Sequence, residues 1–223
     1  MQTVIIACQT ISAEVELAVK HTGCAHDVIW IESGLHNNPD MLRARLQEQL
    51  DELKGYDRVL MAFGTCGNSV VDLHTGDFEL ILPRVDDCIT LMLGSQQERN
   101  RISQGAGTYF LTKGWMKHES NIYSEYQYTL KKYGARRTKS LYKTILAHYD
   151  KLAIVDTGTY AFDEFIEFTK PVAEALGLRQ YPVKGTISYI EELFTDPYDP
   201  KRFTIVPPNT VITMKLLNPE VFA

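Results

Sequence analysis

The chain has 223 residues, 44% of them apolar and 23% charged, with a formal net charge of −5. That is enough to bury a core without disulfides or structural metals. It is too acidic to suit a nucleic-acid partner, which needs a basic surface, and no run approaches the roughly 18 consecutive apolar residues of a membrane span. Met1-Gln2-Thr3 leads directly into an apolar run with no basic leader, so the expectation is a cytoplasmic protein whose four cysteines are reduced thiols.

Apolar runs and helical periodicity alternate along the first third. Thr3–Ala7 reads as a strand, Ser12–His21 as a helix with Ser12 as N-cap, and Asp27–Glu32 as a second strand. A polar loop, Gly34-Leu35-His36-Asn37-Asn38-Pro39, precedes a helix over Asp40–Lys54. In that helix Leu42, Leu46, Leu50 and Leu53 form one apolar stripe, and Gly55 is expected to end it. Arg58–Phe63 is a third strand, Val70–His74 a short helical piece, Leu80–Leu82 a short strand, Cys88–Leu93 the start of a helix and Gln96–Gln104 a further helix. Tyr109–Thr112 reads as a strand ending at Gly114-Trp115. The Tyr-, Lys- and Arg-rich stretch that follows reads as two helices, Ser124–Tyr133 and Thr138–Tyr149, broken at Gly134. The pattern then restarts: strand Leu152–Asp156, helix Phe162–Leu176, strand Arg179–Val183, helix Thr186–Phe194, and strands Phe203–Val206 and Val211–Leu216.

This order predicts an α/β protein of two Rossmann-like, parallel-sheet halves with a cleft between them. The expected division is residues 1–116 for the first half, 117–150 for a helical connector and 151–223 for the second half. The connector reads as amphipathic packing helices, with a lid or an interface as the other reading; a homo-oligomer is a separate possibility.

Three cysteines stand just past predicted strands: Cys8 after Val4-Ile5-Ile6-Ala7, Cys66 after Val59–Thr65, and Cys88 shortly after Leu80-Ile81-Leu82. Parallel strands gather their carboxyl ends at one sheet edge, where ligands bind, so the three thiols are expected to converge. Thiolates suit zinc and iron–sulfur clusters. No short-spaced cysteine pair completes a closed four-ligand site, so a metal on Cys8, Cys66 and Cys88 would keep one position open. A thiolate nucleophile and inert buried packing are the competing readings. Cys24, between a helix and a strand at the opposite edge, is read as packing. Gly64-Thr65-Cys66-Gly67-Asn68 is a turn in which Gly64, Gly67 and Asn68 would let backbone approach a ligand. His36 lies at the same edge and could act as acid or base, His74 is a poorer ligand candidate, and Arg84, Asp86 and Asp87 flank Cys88. Cys66, His36 and Asp87 are the candidate catalytic residues. Gly64, Gly67, Asn68, Arg84, Ser95 and Trp115 are the candidate cofactor-binding residues, Trp115 by stacking. Asp156-Thr157-Gly158-Thr159-Tyr160 occupies the position in the second half equivalent to Cys8 and is a candidate ligand loop.

Ala7-Cys8, Gly34-Leu35-His36-Asn37 with Pro39, Gly64-Thr65-Cys66-Gly67-Asn68, Pro83-Arg84 through Leu93-Gly94-Ser95, and Gly107-Thr108-Tyr109 through Gly114-Trp115 together resemble the domain of unknown function 1638 family. The resemblance covers most of residues 3–116 and runs more loosely to the end. The family occurs in methanogens and anaerobic bacteria, often beside corrinoid-dependent methyltransferases. The resemblance therefore implies a role in anaerobic one-carbon metabolism, with a corrinoid protein or methyltransferase as partner and corrinoid as a further cofactor. Family members often carry His before the Asp-Cys pair; Asp86 stands there in this chain. The resulting expectation is a metal-centre protein, iron–sulfur first and zinc second, acting on a small molecule. The alternatives are a non-catalytic accessory or corrinoid-binding protein and a metal-free enzyme with Cys66 as nucleophile.

Overall fold

The computed structural model describes residues 1–105, 107–118 and 121–219. Two sheets organise it. In the larger, β1 (Thr3–Cys8), β2 (Asp27–Ile31), β3 (Arg58–Ala62), β4 (Glu79–Pro83) and β8 (Phe203–Val206) lie in the order β2-β1-β3-β4-β8. The first four are parallel, and β8 runs antiparallel to β4. The smaller sheet is wholly parallel, with β6 (Tyr149–Asp156) between β5 (Gly107–Leu111) and β7 (Arg179–Lys184).

Every residue of β1 is buried, as expected where a parallel strand is covered on both faces. The α-helices are α1 (Ser12–Thr22), α2 (Pro39–Glu52), α3 (Cys88–Leu93), α4 (Gln96–Ile102), α5 (Lys113–His118), α6 (Ile122–Ile145), α7 (Phe162–Leu176), α8 (Ser188–Leu193) and α9 (Met214–Leu217). In α2, Asn38 Oδ1 accepts from Met41 N at 3.2 Å and Pro39 opens the first turn, while Leu42, Leu46 and Leu50 are buried. Strand β6 shows the two-residue alternation of a sheet covered on both faces. Its Ala153 and Val155 join the main core with β1, β3 and β4, and Leu152 and Ile154 join a second core with α6 and α7. Among the described residues no helix is long and apolar enough to cross a membrane.

Several expectations are corrected. The strand near residue 203 does not continue a second parallel sheet: β8 closes the first sheet beside β4, and α8 packs on α1, β3 and β4. Conversely β5, from the first half of the sequence, belongs to the second sheet. Val211–Leu216 is not a strand. Val211 makes only an isolated bridge to His74, and Thr213 Oγ1 caps α9 by accepting from Leu216 N at 3.3 Å. Val70–His74 is a turn region, because Asn68 and Asp72 both take φ of 66°, outside any right-handed helix. Ser12 is the first helical residue rather than the cap, since a 3-10 turn over Gln9–Ile11 already supplies helical backbone before it. Helix α2 ends at Glu52 with Leu53 extended, and Gly55 takes its left-handed φ of 79° in the turn beyond. The break at Gly134 is present, at φ 76° and ψ 165°, but the following helical stretch stops at Ile145 and Tyr149 starts β6. Trp115 lies within α5 instead of at a strand end.

Candidate functional site

The chain passes from β1 to β2 on one side and then to β3 on the other. The carboxyl ends of β1 and β3 therefore flank the point where open α/β sheets bind ligands. Cys8 is the last residue of β1, Cys66 lies on the loop after β3, and Cys88 is the first residue of α3 after β4. All three line one cavity of about 370 Å3, together with Thr10, Glu32, His36, Phe63 and Trp115.

The close approach of two loops brings Cys66 and Cys88 together. Thr65 N donates to Val85 O at 2.9 Å and Cys66 N to Asp86 O at 2.8 Å, so the segment after β3 runs alongside the one after β4. Gly64 permits this, because a Cβ there would overlap the Asp87 backbone. The Gly64 backbone lies near enough to Cys88 to favour its thiolate, against the larger effects that raise its pKa. The next residues turn sharply: Cys66, Gly67 and Asn68 have φ of 42°, 69° and 66°. For a non-glycine residue such a conformation costs on the order of 1–3 kcal/mol, and residues held there cluster at functional sites.

Cys88 is the middle thiol. It interacts with Cys66 on one side and with Cys8 on the other, and Cys8 Sγ lies 3.3 Å from Thr10 Oγ1. The hydrogen bond with Cys88 and burial hold the Cys8 thiol well above its ordinary range. The hydrogen bond with Cys66 and burial do the same for Cys88. The charged groups among the cavity's lining residues are acidic, namely Glu32, Asp86 and Asp87, with no lysine or arginine to stabilise a thiolate. Among the described residues no three His, Cys, Asp or Glu side chains stand, as placed, at the spacing of a metal site.

The remaining expected residues divide. His36, in the 3-10 turn Leu35–Asn37, reaches the cavity, and its ring centroid lies 6.4 Å from that of Trp115. Trp115 arrives from the second sheet on α5, which packs against the turn after Cys8; Gly114 makes room for the Thr10 carbonyl. Gly67 lines the cavity. Asp87 lines it too, but its oxygens are engaged: Oδ1 caps α3 by accepting from Thr90 N at 2.9 Å, and Oδ2 pairs with Arg99 at 2.8 Å. Arg84 and Asn68 line a different cavity with Lys201 and Thr204. There the Arg84 guanidinium donates to the carbonyls of Phe203 at 3.2 Å and Leu217 at 2.9 Å. Ser95 caps α4, accepting from Glu98 N at 3.1 Å, and is not on the cavity wall. His74 also lies outside the cavity, and half-buried Cys24 sits between α1 and β2. Sequence reasoning passed over Thr10 and Glu32. Both follow strands at the same edge as Cys8, so the rule that found the cysteines would have found them.

Residues 30–194 match the model of the family described as "Protein of unknown function (DUF1638)". The chain belongs to this family. Its DUF1638 region contains Cys66, Cys88, His36 and Trp115, while Cys8 stands before the matched segment. No curated protein and no solved structure matches the chain.

Proposed function

We propose that Cys8, Cys66 and Cys88 hold a thiophilic metal ion at the switch point of a Rossmann-like sheet, with one coordination position open to the cavity. What supports this reading is that three thiols from three strand ends line one cavity, with Cys88 perturbed by both of the others, where no lysine or arginine lines the wall. Neutral thiols gain little from such crowding, and three thiolates would repel one another. A bound cation resolves both problems by taking the place of the protons.

The small donor set puts zinc ahead of an iron–sulfur cluster in this reading. One zinc ion needs only thiolates that can converge on a single point about 2.3 Å from each sulfur, and Cys88, with Cys8 and Cys66 lining the same cavity, offers that more simply than the wider frame of a four-iron cluster. Loading requires Cys66 and Cys8 to close around Cys88 by side-chain rotation. When bound, such an ion supplies Lewis acidity or an activated thiol at the open position. The protein's own groups do the rest. Trp115 and Phe63 give the small-molecule substrate an apolar wall, and His36 stands where it can take or give a proton. The fit with the family's corrinoid methyltransferase setting makes a one-carbon donor or a thiol acceptor the substrate class, with a corrinoid protein or methyltransferase as docking partner.

The deciding experiment is purification without oxygen, followed by measurement of Zn, Fe, Co and sulfide in the wild type and in Cys8→Ser, Cys66→Ser and Cys88→Ser. Stoichiometric zinc without sulfide, lost most completely in Cys88→Ser, is the expected result. Full occupancy in Cys88→Ser, or wild type that retains no metal after incubation with zinc and removal of the excess, overturns it. A second reading rests on Cys66 being the most accessible thiol of the three and the one on strained backbone: a metal-free nucleophile. Fast, selective alkylation of Cys66 in a metal-free, active protein would favour that reading.

A further inference from the structure

A second cavity, of about 210 Å3, lies on the other side of α5 from the thiols, at the carboxyl ends of β5 and β6. Its wall includes Ser12, Glu14, Lys113, Lys117, Thr159 and Tyr160. Glu14 is the unusual member. It sits on α1 and is only 2% exposed, and a carboxylate is withdrawn from water at a cost that partners must offset. Its Oε1 accepts from the hydroxyls of Thr157 at 2.7 Å and Thr159 at 3.0 Å. Its Oε2 accepts a hydrogen bond from no described residue, although Glu14 forms part of the cavity wall.

The opposite charge stands at the same cavity. Lys113 and Lys117 are exposed, one turn apart on α5, and neither ammonium pairs with a described acidic residue. A bare anion would meet the Glu14 carboxylate, and a bare amine would meet the two lysines. A molecule carrying both charges satisfies both ends. The volume is below the roughly 300–1,000 Å3 of sites for drug-sized ligands, so the ligand is small.

We propose that this cavity binds a free α-amino acid as its zwitterion. The ammonium group donates to Glu14 Oε2, and the carboxylate lies against Lys113 and Lys117. The loop Asp156-Thr157-Gly158-Thr159-Tyr160 contributes two hydroxyls that fix the Glu14 carboxylate in place, with Asp156 held in turn by Lys184 at 2.9 Å. The site stands independently of any metal on the cysteines.

Calorimetric titration of the full chain with each of the twenty standard amino acids, and with acetate and methylamine as half-ligands, tests it. At least one amino acid saturates with a Kd of about 1 mM or tighter, and each half-ligand binds at least about tenfold more weakly. Glu14→Gln keeps an oxygen acceptor for both threonine hydroxyls but loses the charge, and it weakens binding by about tenfold or more. The double variant Lys113→Gln/Lys117→Gln alters only exposed side chains, so it reads the carboxylate end even if Glu14→Gln does not fold; the same loss is expected there. Absence of saturation by any amino acid up to about 10 mM, well past the weakest Kd proposed, overturns the proposal. Acetate binding as tightly as the best amino acid, or undiminished binding in the lysine variant or in a folded Glu14→Gln, also overturns it.

Discussion

At the carboxyl ends of β1, β3 and β4 the side chains that meet are thiols, whereas beyond β6 they are hydroxyls and a carboxylate. The two edges lie on either side of α5, which contributes Trp115 to one cavity and Lys113 and Lys117 to the other. The thiol edge is assembled by backbone proximity. Cys66 and Cys88 share the cavity because two loops run side by side, and the hydrogen bond of Cys8 to Thr10 fixes one thiol. The hydroxyl edge is assembled by side-chain bonds that reach from α1 of one sheet to the loop of the other. Sulfur contacts contribute little rigidity and leave the donors available to an ion, while the bonds to Glu14 fasten the sheets together.

That contrast can be broken at either edge. The largest effect is expected for Gly64→Ala, whose Cβ would collide with the Asp87 backbone. A loss of about 3 kcal/mol or more in urea unfolding is expected, with metal loss in any variant that still folds. A loss under about 1 kcal/mol would show that the two loops are not held together as described. Next, Thr157→Val removes the buried one of the two hydroxyls that donate to Glu14 and should cost about 1–3 kcal/mol while leaving metal content unchanged. A change in metal content would show that the two edges are coupled. Asp87→Ala removes the cap of α3 and the partner of Arg99 and should cost about 1–2 kcal/mol, whereas Asp87→Asn keeps the cap and should cost less. If instead Asp87 handles a proton in the reaction, both variants will lose activity far beyond their loss of stability.

The smallest effect concerns pH. In the metal-free chain the folded thiols of Cys8 and Cys88 titrate above their ordinary value of 9.0. The folded state therefore keeps protons that the unfolded state gives up. The stability from these two groups is complete below about pH 9 and falls as pH rises toward their folded values. Melting temperatures between pH 7 and about pH 10, compared with those of Cys88→Ala, should show a shallower decline in the variant. Equal slopes would mean that the thiols do not perturb one another.

Much of this could be read from the sequence. Phe162–Leu176 and Phe203–Val206 have the bounds that periodicity gave them, and the three cysteines line one cavity. The partner of β8 could not be read, because four apolar residues carry no signal for which edge they will join or in which direction. Nor could the roles of the charged groups beside Cys88. Arg84 donates to the carbonyls of Phe203 and Leu217, more than 100 residues away, a pairing that no local pattern announces. Glu14 was hidden for a related reason: its partners lie more than 140 residues away, and an isolated glutamate in an amphipathic helix looks like a solvated one.

The antiparallel pairing of β8 with β4 also bears on synthesis. During translation the edge of β4 stays uncovered until Phe203–Val206 leave the ribosome, long after every other strand of that sheet has been made. For that interval the nascent chain offers a bare ladder of amide and carbonyl groups to any neighbour, the kind of surface that chaperones shield and that seeds aggregation.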